Sequence, residues 1–169
     1  AYKGDITLLN NVDKNVAVIG VLTPTNEIVE REQKVVSCLI EKDFNIVSGL
    51  AKGCDTVAHS QSVKNNAKTI AFLPSTIEKI YPKENISLAN EIINNGGLII
   101  SEYVNEPKNK YENVKRFIER DRLQALYSKA VVLIASFRKG EGDSGSRHAF
   151  EKAKEYGKKR LVMYRESDF

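Results

Sequence analysis

Short apolar, β-branched runs alternate with segments of helical period along almost the whole chain, and this alternation constrains the fold more than any other feature. Val16-Ala17-Val18-Ile19, ended by Gly20, reads as a buried strand. Thr23-Pro24 then supplies a cap and a favoured first helical residue. Ile28, Val29, Val35, Val36, Leu39 and Ile40 follow at spacings that line one helix face. The same reading predicts strands over 44–47, 69–73, 98–101, 131–135 and 161–164. Helices are predicted from about Asp55, through Leu88, Ala89, Ile92 and Ile93, from about Glu112 to Tyr127, and from about Ser144 to Tyr156. Six strands alternating with helices imply an α/β, doubly wound, mostly parallel, Rossmann-like sheet covered on both faces. Such sheets bind ligands at the carboxyl ends of their strands, near a switch in strand order.

The 169 residues read as one domain spanning 1–169, with 1–14 a short N-terminal extension. That length buries a proper core without metal or disulfide staples. Two cysteines, Cys38 and Cys54, are too few for a disulfide framework, so a reducing compartment is expected. The N-terminus lacks a signal-peptide layout, and no apolar run approaches the roughly 18 residues of a membrane span. A cytoplasmic protein with no membrane partner is the expectation. Residues 105–160 hold 15 Lys and Arg against 8 acids, whereas the remainder holds 11 against 14. One end of the fold is therefore suited to anions such as nucleic-acid phosphates, or else carries a pair of salt-bridged, solvated helices. Residues 104–113 read as a long mobile loop.

Three loops could carry chemistry. In Ser48-Gly49-Leu50-Ala51-Lys52-Gly53-Cys54-Asp55, glycines let the backbone approach an anion, and a hydroxyl, an ammonium and a helix N-terminus converge on it. Asp55 reads as the helix cap, His59 as a packing histidine and Cys54 as a small buried side chain. In the segment 137–148, Gly140, Gly142 and Gly145 match a dinucleotide fingerprint, but four residues separate them from the strand, and Glu141 and Asp143 would repel a pyrophosphate. Gly142-Asp143-Ser144-Gly145 spells a serine-protease tetrapeptide on the wrong fold class. What survives is a glycine-rich loop opening a helix, flanked by Arg138, Lys139 and Arg147. In the helix from 112, Val114, Phe117, Ile118 and Ala125 form an apolar stripe at about 100° per residue. Asp121 falls inside that stripe and should be paired, an arginine being a suitable partner. Arg122 lies at the stripe's edge. A continuous helix puts Arg120 on the outer face and leaves Leu123 exposed, whereas a break near 119 would change these assignments.

In this order the segments resemble the DprA/Smf family of DNA-processing proteins over roughly residues 14–164. The run Ile46-Val47-Ser48-Gly49-Leu50-Ala51-Lys52-Gly53-Cys54-Asp55 with His59 four residues on is the best-matched part. Lys68-Thr69-Ile70-Ala71, Ile80-Tyr81-Pro82 with Asn85, Gly97 to Glu102, and Arg120-Asp121-Arg122 for the family's Arg-Asn-Arg are also similar. Two departures stand out. Gly20-Val21-Leu22 replaces the family's Gly-Ser-Arg, removing a phosphate-binding arginine. Lys139-Gly140-Glu141-Gly142 adds an acid where the family has Lys-Ser-Gly-Ser/Thr. The helical and winged-helix domains that flank the family's core are absent from these residues, so the chain resembles a divergent, core-only member.

The resemblance implies a non-enzymatic single-stranded DNA-binding protein that forms a homodimer and assists a RecA-type recombinase. It implies phosphate contacts from Ser48, Gly49, Lys52, Gly53, Arg120, Arg122, Lys139 and Arg147, with Gly20, Asp55 and Asp121 organising the site. Phe137, Tyr103 and Tyr111 are candidate stacking platforms beside basic residues. No catalytic residue, metal or cofactor is expected. The alternative is a small-nucleotide sensor or hydrolase, since the fold also resembles that of cytokinin-activating phosphoribohydrolases. Glu102, Asp121 and Glu141 would then be its acids or bases.

Overall fold

The computed structural model describes residues 1–137 and 145–163. Its centre is a seven-stranded sheet in the order β1-β5-β4-β3-β2-β6-β7. β2 (Asn15–Ile19) and β4 (Thr69–Leu73) are buried at every position, as parallel strands roofed on both faces must be. β3 (Asn45–Ser48), β5 (Leu98–Ser101), β6 (Ala130–Leu133) and β7 (Lys159–Val162) run parallel to them. The seventh strand is β1 (Tyr2–Gly4), antiparallel to β5 with Tyr2 opposite Ile100. Six strands were expected. β1 escapes a hydrophobic-pattern reading because its three residues are all exposed and only one is large and apolar. Residues 1–14 thus contribute an edge strand and two 3₁₀ turns, at Ile6–Asn10 and Val12–Lys14, to the same sheet.

Among the described residues five α-helices cover the sheet: α1 (Asn26–Glu41), α2 (Cys54–Lys64), α3 (Ile86–Asn94), α4 (Lys110–Leu126) and α5 (Gly145–Glu155). Alternate strand residues point to opposite faces. Ala17, Ile19, Val47, Ile70 and Phe72 meet Leu123 and Ala125 of α4 and Ala149 and Ala153 of α5. Val16, Val18 and Ile46 meet Val36 of α1 and Ala58 of α2 on the other face. Ala71, Leu73 and Ile99 pack on Leu88, Ala89 and Ile92 of α3. α1 begins two residues later than expected. Its cap is Thr25, whose hydroxyl accepts from the Ile28 N–H, rather than Thr23.

From β2 the chain steps through β3, β4 and β5 to one side, then returns to place β6 and β7 on the other side of β2. The strand order therefore switches between β2 and β6, and a crevice must open above their carboxyl ends. The long connection between β5 and α4 is shorter than its sequence suggests, because α4 starts at Lys110 with Asn109 as its cap.

Candidate functional site

The loop between β3 and α2 builds one wall of that crevice. Ser48 Oγ donates to the Val18 carbonyl at 2.7 Å, locking the end of β3 to β2. Leu50, fully buried, adopts φ +61°, and Gly53 adopts φ +76° to turn the chain into α2. Asn85, itself buried, donates to Leu50 O at 2.9 Å and to Thr56 Oγ1 at 2.8 Å, stitching the loop to the start of α3. Asp55 does not cap α2. Gly53 holds the cap position, and the Asp55 carboxylate folds back to accept from Gly49 N and Ala51 N, each at 3.2 Å. The Gly49 N–H, expected to face a phosphate, is therefore already engaged by a carboxylate.

The glycines of this wall serve close packing. A Cβ on Gly49 would lie 1.5 Å from Arg120 Nη1, and one on Gly53 would lie 2.4 Å from Val21 O. A Cβ on Gly20 would lie 2.4 Å from Cys54 Sγ. Cys54 is fully buried, and desolvation with the nearby Glu32 pushes its thiol far above the usual range. His59 is buried too, its Nδ1 2.8 Å from Thr69 Oγ1, and burial pushes its pKa down to about 3. It is a neutral packing histidine.

α4 supplies the opposite wall and is continuous, yet its faces differ from the expected ones. Arg120 is not on the outer face: it is 3% exposed, donates from Nη1 to Phe72 O at 2.7 Å, and places Nε 3.2 Å from Asp121 Oδ1. Leu123, expected to be exposed, is buried, whereas Val114 and Ile118 of the expected core stripe are exposed. The reason is that arginine stems are apolar. Arg116 and Arg120 bury their stems and carry their heads to carbonyls and carboxylates, which rotates the buried face away from the one that a hydrophobic count selects. Asp121 is paired with an arginine, as its place demanded, and also accepts from Gln124 Nε2 at 3.2 Å. Arg122 reaches solvent but grips both oxygens of Glu102 at 2.7 Å. Lys52 pairs with Glu84 at 2.6 Å.

Between the walls lies a cleft of about 400 Å³. Ile19 and Gly20 at the end of β2, Ala51 and Asp55 from the loop, Val114, Ile118, Arg120, Asp121 and Gln124 from α4, and Ser146 and His148 from α5 line it. Gly20, Asp55, Arg120 and Asp121 are thus brought together. Ser48, Gly49 and Gly53 lie behind the wall, Arg122 and Lys52 stand outside the cleft, and Arg147 is in the first turn of α5. Lys139 and the candidate acid Glu141 lie outside the described residues. Tyr103 is half-buried beneath the Arg116 guanidinium, 4.3 Å from the ring centre, whereas Phe137 and Tyr111 are exposed. Gln124 and the stitching role of Asn85 were missed. A glutamine between Leu123 and Ala125, in the buried part of a helix, was the available signal.

The matched family model, DNA recombination-mediator protein A, covers residues 1–167. The chain belongs to this family of DNA-processing proteins. Protein Smf of Synechocystis is 37% identical over 70% of the chain, and DNA processing protein DprA of Streptococcus pneumoniae is 35% identical over 93% of it. The aligned stretches amount to 29% and 52% of those two proteins, so the chain spans about half of the latter's length. The S. pneumoniae DprA structure superposes with a TM-score of 0.81, 33% identity and coverage of 97% of this chain and 54% of that one. DNA processing protein A of Helicobacter pylori, whose structure describes a single-stranded DNA binding mode, gives 0.81 and 31%, covering 97% and 71%. The Rossmann-like architecture is therefore shared with DprA proteins of known structure.

Proposed function

We propose that this DprA-family chain is a non-enzymatic single-stranded DNA-binding module whose strand lies across the mouth of the switch-point cleft. One observation carries the reading: the cleft sits where a doubly wound sheet presents ligands, in a chain that aligns along 97% of its length with DprA proteins, one with a single-stranded DNA binding mode. Phosphates would be met outside the cleft by Arg122, Lys52 and Arg147, and Lys139 is a further proposed contact. Arg122 and Lys52 would exchange Glu102 and Glu84 for phosphate oxygens, so binding is weaker than bare cations would give. Arg120 acts as an organiser of the wall, not as a free phosphate ligand. A homodimer and a RecA-type recombinase partner belong to the same proposal.

Titration of fluorescent oligo-dT at several salt concentrations tests it. Saturable binding that weakens steeply with salt is expected, and Arg122→Ala should reduce the logarithmic salt slope by about 1. Absence of binding at low salt would overturn the reading.

A further inference from the structure

One buried carboxyl group lies behind the cleft and takes no part in the site described above. Glu32 is fully buried on α1, one turn from Ile28 and Val36, which pack in the apolar core that α1 shares with α2 and β2. Among the described residues no cation pairs with it, and a carboxyl in such surroundings is tolerated only while it keeps its proton. Its neighbours join it to the cleft. The Cys54 thiol lies beside the Glu32 carboxyl, and a Cβ on Gly20, which lines the cleft, would lie 2.4 Å from that same sulfur. Cys54 N donates to Val21 O at 3.1 Å, fixing the start of α2 to the turn after β2. Asp55, the next residue, brings its charge near Glu32 and clamps the loop through Gly49 N and Ala51 N.

The two carboxyls are not equivalent. Burial raises both, but the Arg120 guanidinium and the Ala51 and Gly49 amides draw Asp55 back down. Glu32 has only the Cys54 thiol, and the Asp55 charge raises it further. At neutral pH the proton therefore sits on Glu32. Other titratable groups on the packed elements turn elsewhere, His59 of α2 to Thr69 and Arg31 of α1 to Glu27. β3 and the turn of residues 20–25 carry no titratable side chain.

We infer that Glu32 is a proton-operated brace of the cleft wall. Neutral, it lets Asp55 hold Gly49 and Ala51 in place. Ionised, it sets a second negative charge against Asp55 in a low-dielectric core, and the clamp opens. Glu32 acts through Asp55 and touches no ligand, so it is a positioning residue. Resting on the single-strand reading above, the brace also makes nucleic-acid binding proton-linked. Loss of the proton loosens the wall and adds negative charge behind a site for phosphates, so affinity falls as pH rises through about 8. Arg122 and Lys52 stay charged in that range, because their hydrogen bonds to Glu102 and Glu84 raise them further above it.

The test follows the Gly49 and Ala51 amide resonances by NMR, and oligo-dT affinity at fixed ionic strength, from about pH 6 to 9. In the wild type both amides should shift with a midpoint near pH 8, and affinity should fall about tenfold. Glu32→Gln should show neither change. Glu32→Met, also uncharged, is a second variant with the same expectation. Amides that do not titrate, or that titrate alike in wild type and variants, overturn the inference, and oligo-dT binding then leaves the DNA reading standing. Amides that titrate only in the wild type, with no oligo-dT bound at any pH, support the brace and overturn the DNA reading. Amides that titrate beside a pH-independent affinity overturn the linkage to nucleic acid.

Discussion

Arg120 and Glu32 show what single buried charges do in this fold. Arg120 is fastened to a strand-end carbonyl and a carboxylate, and its head fills the space that a side chain on Gly49 would need. Arg120→Ala should therefore destabilise the protein by about 3–5 kcal/mol, read from urea unfolding, because Asp121 and Phe72 O lose the buried guanidinium. Gly49→Ala should be much less costly in the Arg120→Ala background than alone, a coupling visible in a double-mutant cycle. Glu32 is fully buried on α1, with the Cys54 thiol beside its carboxylate. Burial pushes its pKa up to about 8 from 4.5; the Cys54 thiol opposes the rise and the Asp55 charge adds to it. Between those values the folded protein holds a proton that the unfolded chain has released, so stability present below pH 4.5 is lost as pH rises through 8. Glu32→Gln should match the wild type near pH 5, and exceed it at pH 8 by on the order of 2–4 kcal/mol in denaturant titrations.

At the level of elements, one connection is fastened by a side chain from elsewhere in the fold. Asn85 sits in the short turn before α3 yet holds the β3–α2 loop through Leu50 O and Thr56 Oγ1. Asn85→Ala should cost about 2 kcal/mol by thermal or urea unfolding. It should also weaken oligo-dT binding, since the wall formed by Ala51 and Asp55 loses its anchor. The same scale shows what the sequence allowed one to read. β4 and β5 fall where the apolar runs placed them, because strands buried on both faces leave an unbroken hydrophobic signature. β1 does not, since an exposed three-residue edge strand is held by backbone pairing that leaves no pattern. α4 was legible as a helix but not in its orientation, because Arg116 and Arg120 count as polar in any pattern yet are buried. Asp121 was legible as a paired core charge, whereas its partner Gln124 was not singled out.

For the molecule as a whole, the cleft is a product of topology. The end of β2 and the turn after it contribute Ile19, Gly20 and Leu22, the β3–α2 connection and the first turn of α2 contribute Ala51 and Asp55, and α4 and α5 contribute the rest, as far along the chain as Ala149. α5 packs against α4 on one face of the sheet, with Ala149 and Ala153 buried beside Leu123 and Ala125. A chain ending at residue 137 should therefore lose cooperative unfolding and all oligo-dT binding, checked by calorimetry and titration. The crossed order of the strands also has a bearing on how the protein is made. Parallel pairings between distant segments form slowly, because the chain must close large loops before any contact rewards it. During synthesis, the first two-thirds of the polypeptide would emerge with β2 lacking its neighbour β6, and with the ligand crevice open along one side. A nascent chain thus has no competent pocket to occupy until α5 docks. Under the proposed single-strand reading, a fragment that lacks α5 would be missing the part of the wall that Ser146 and His148 supply.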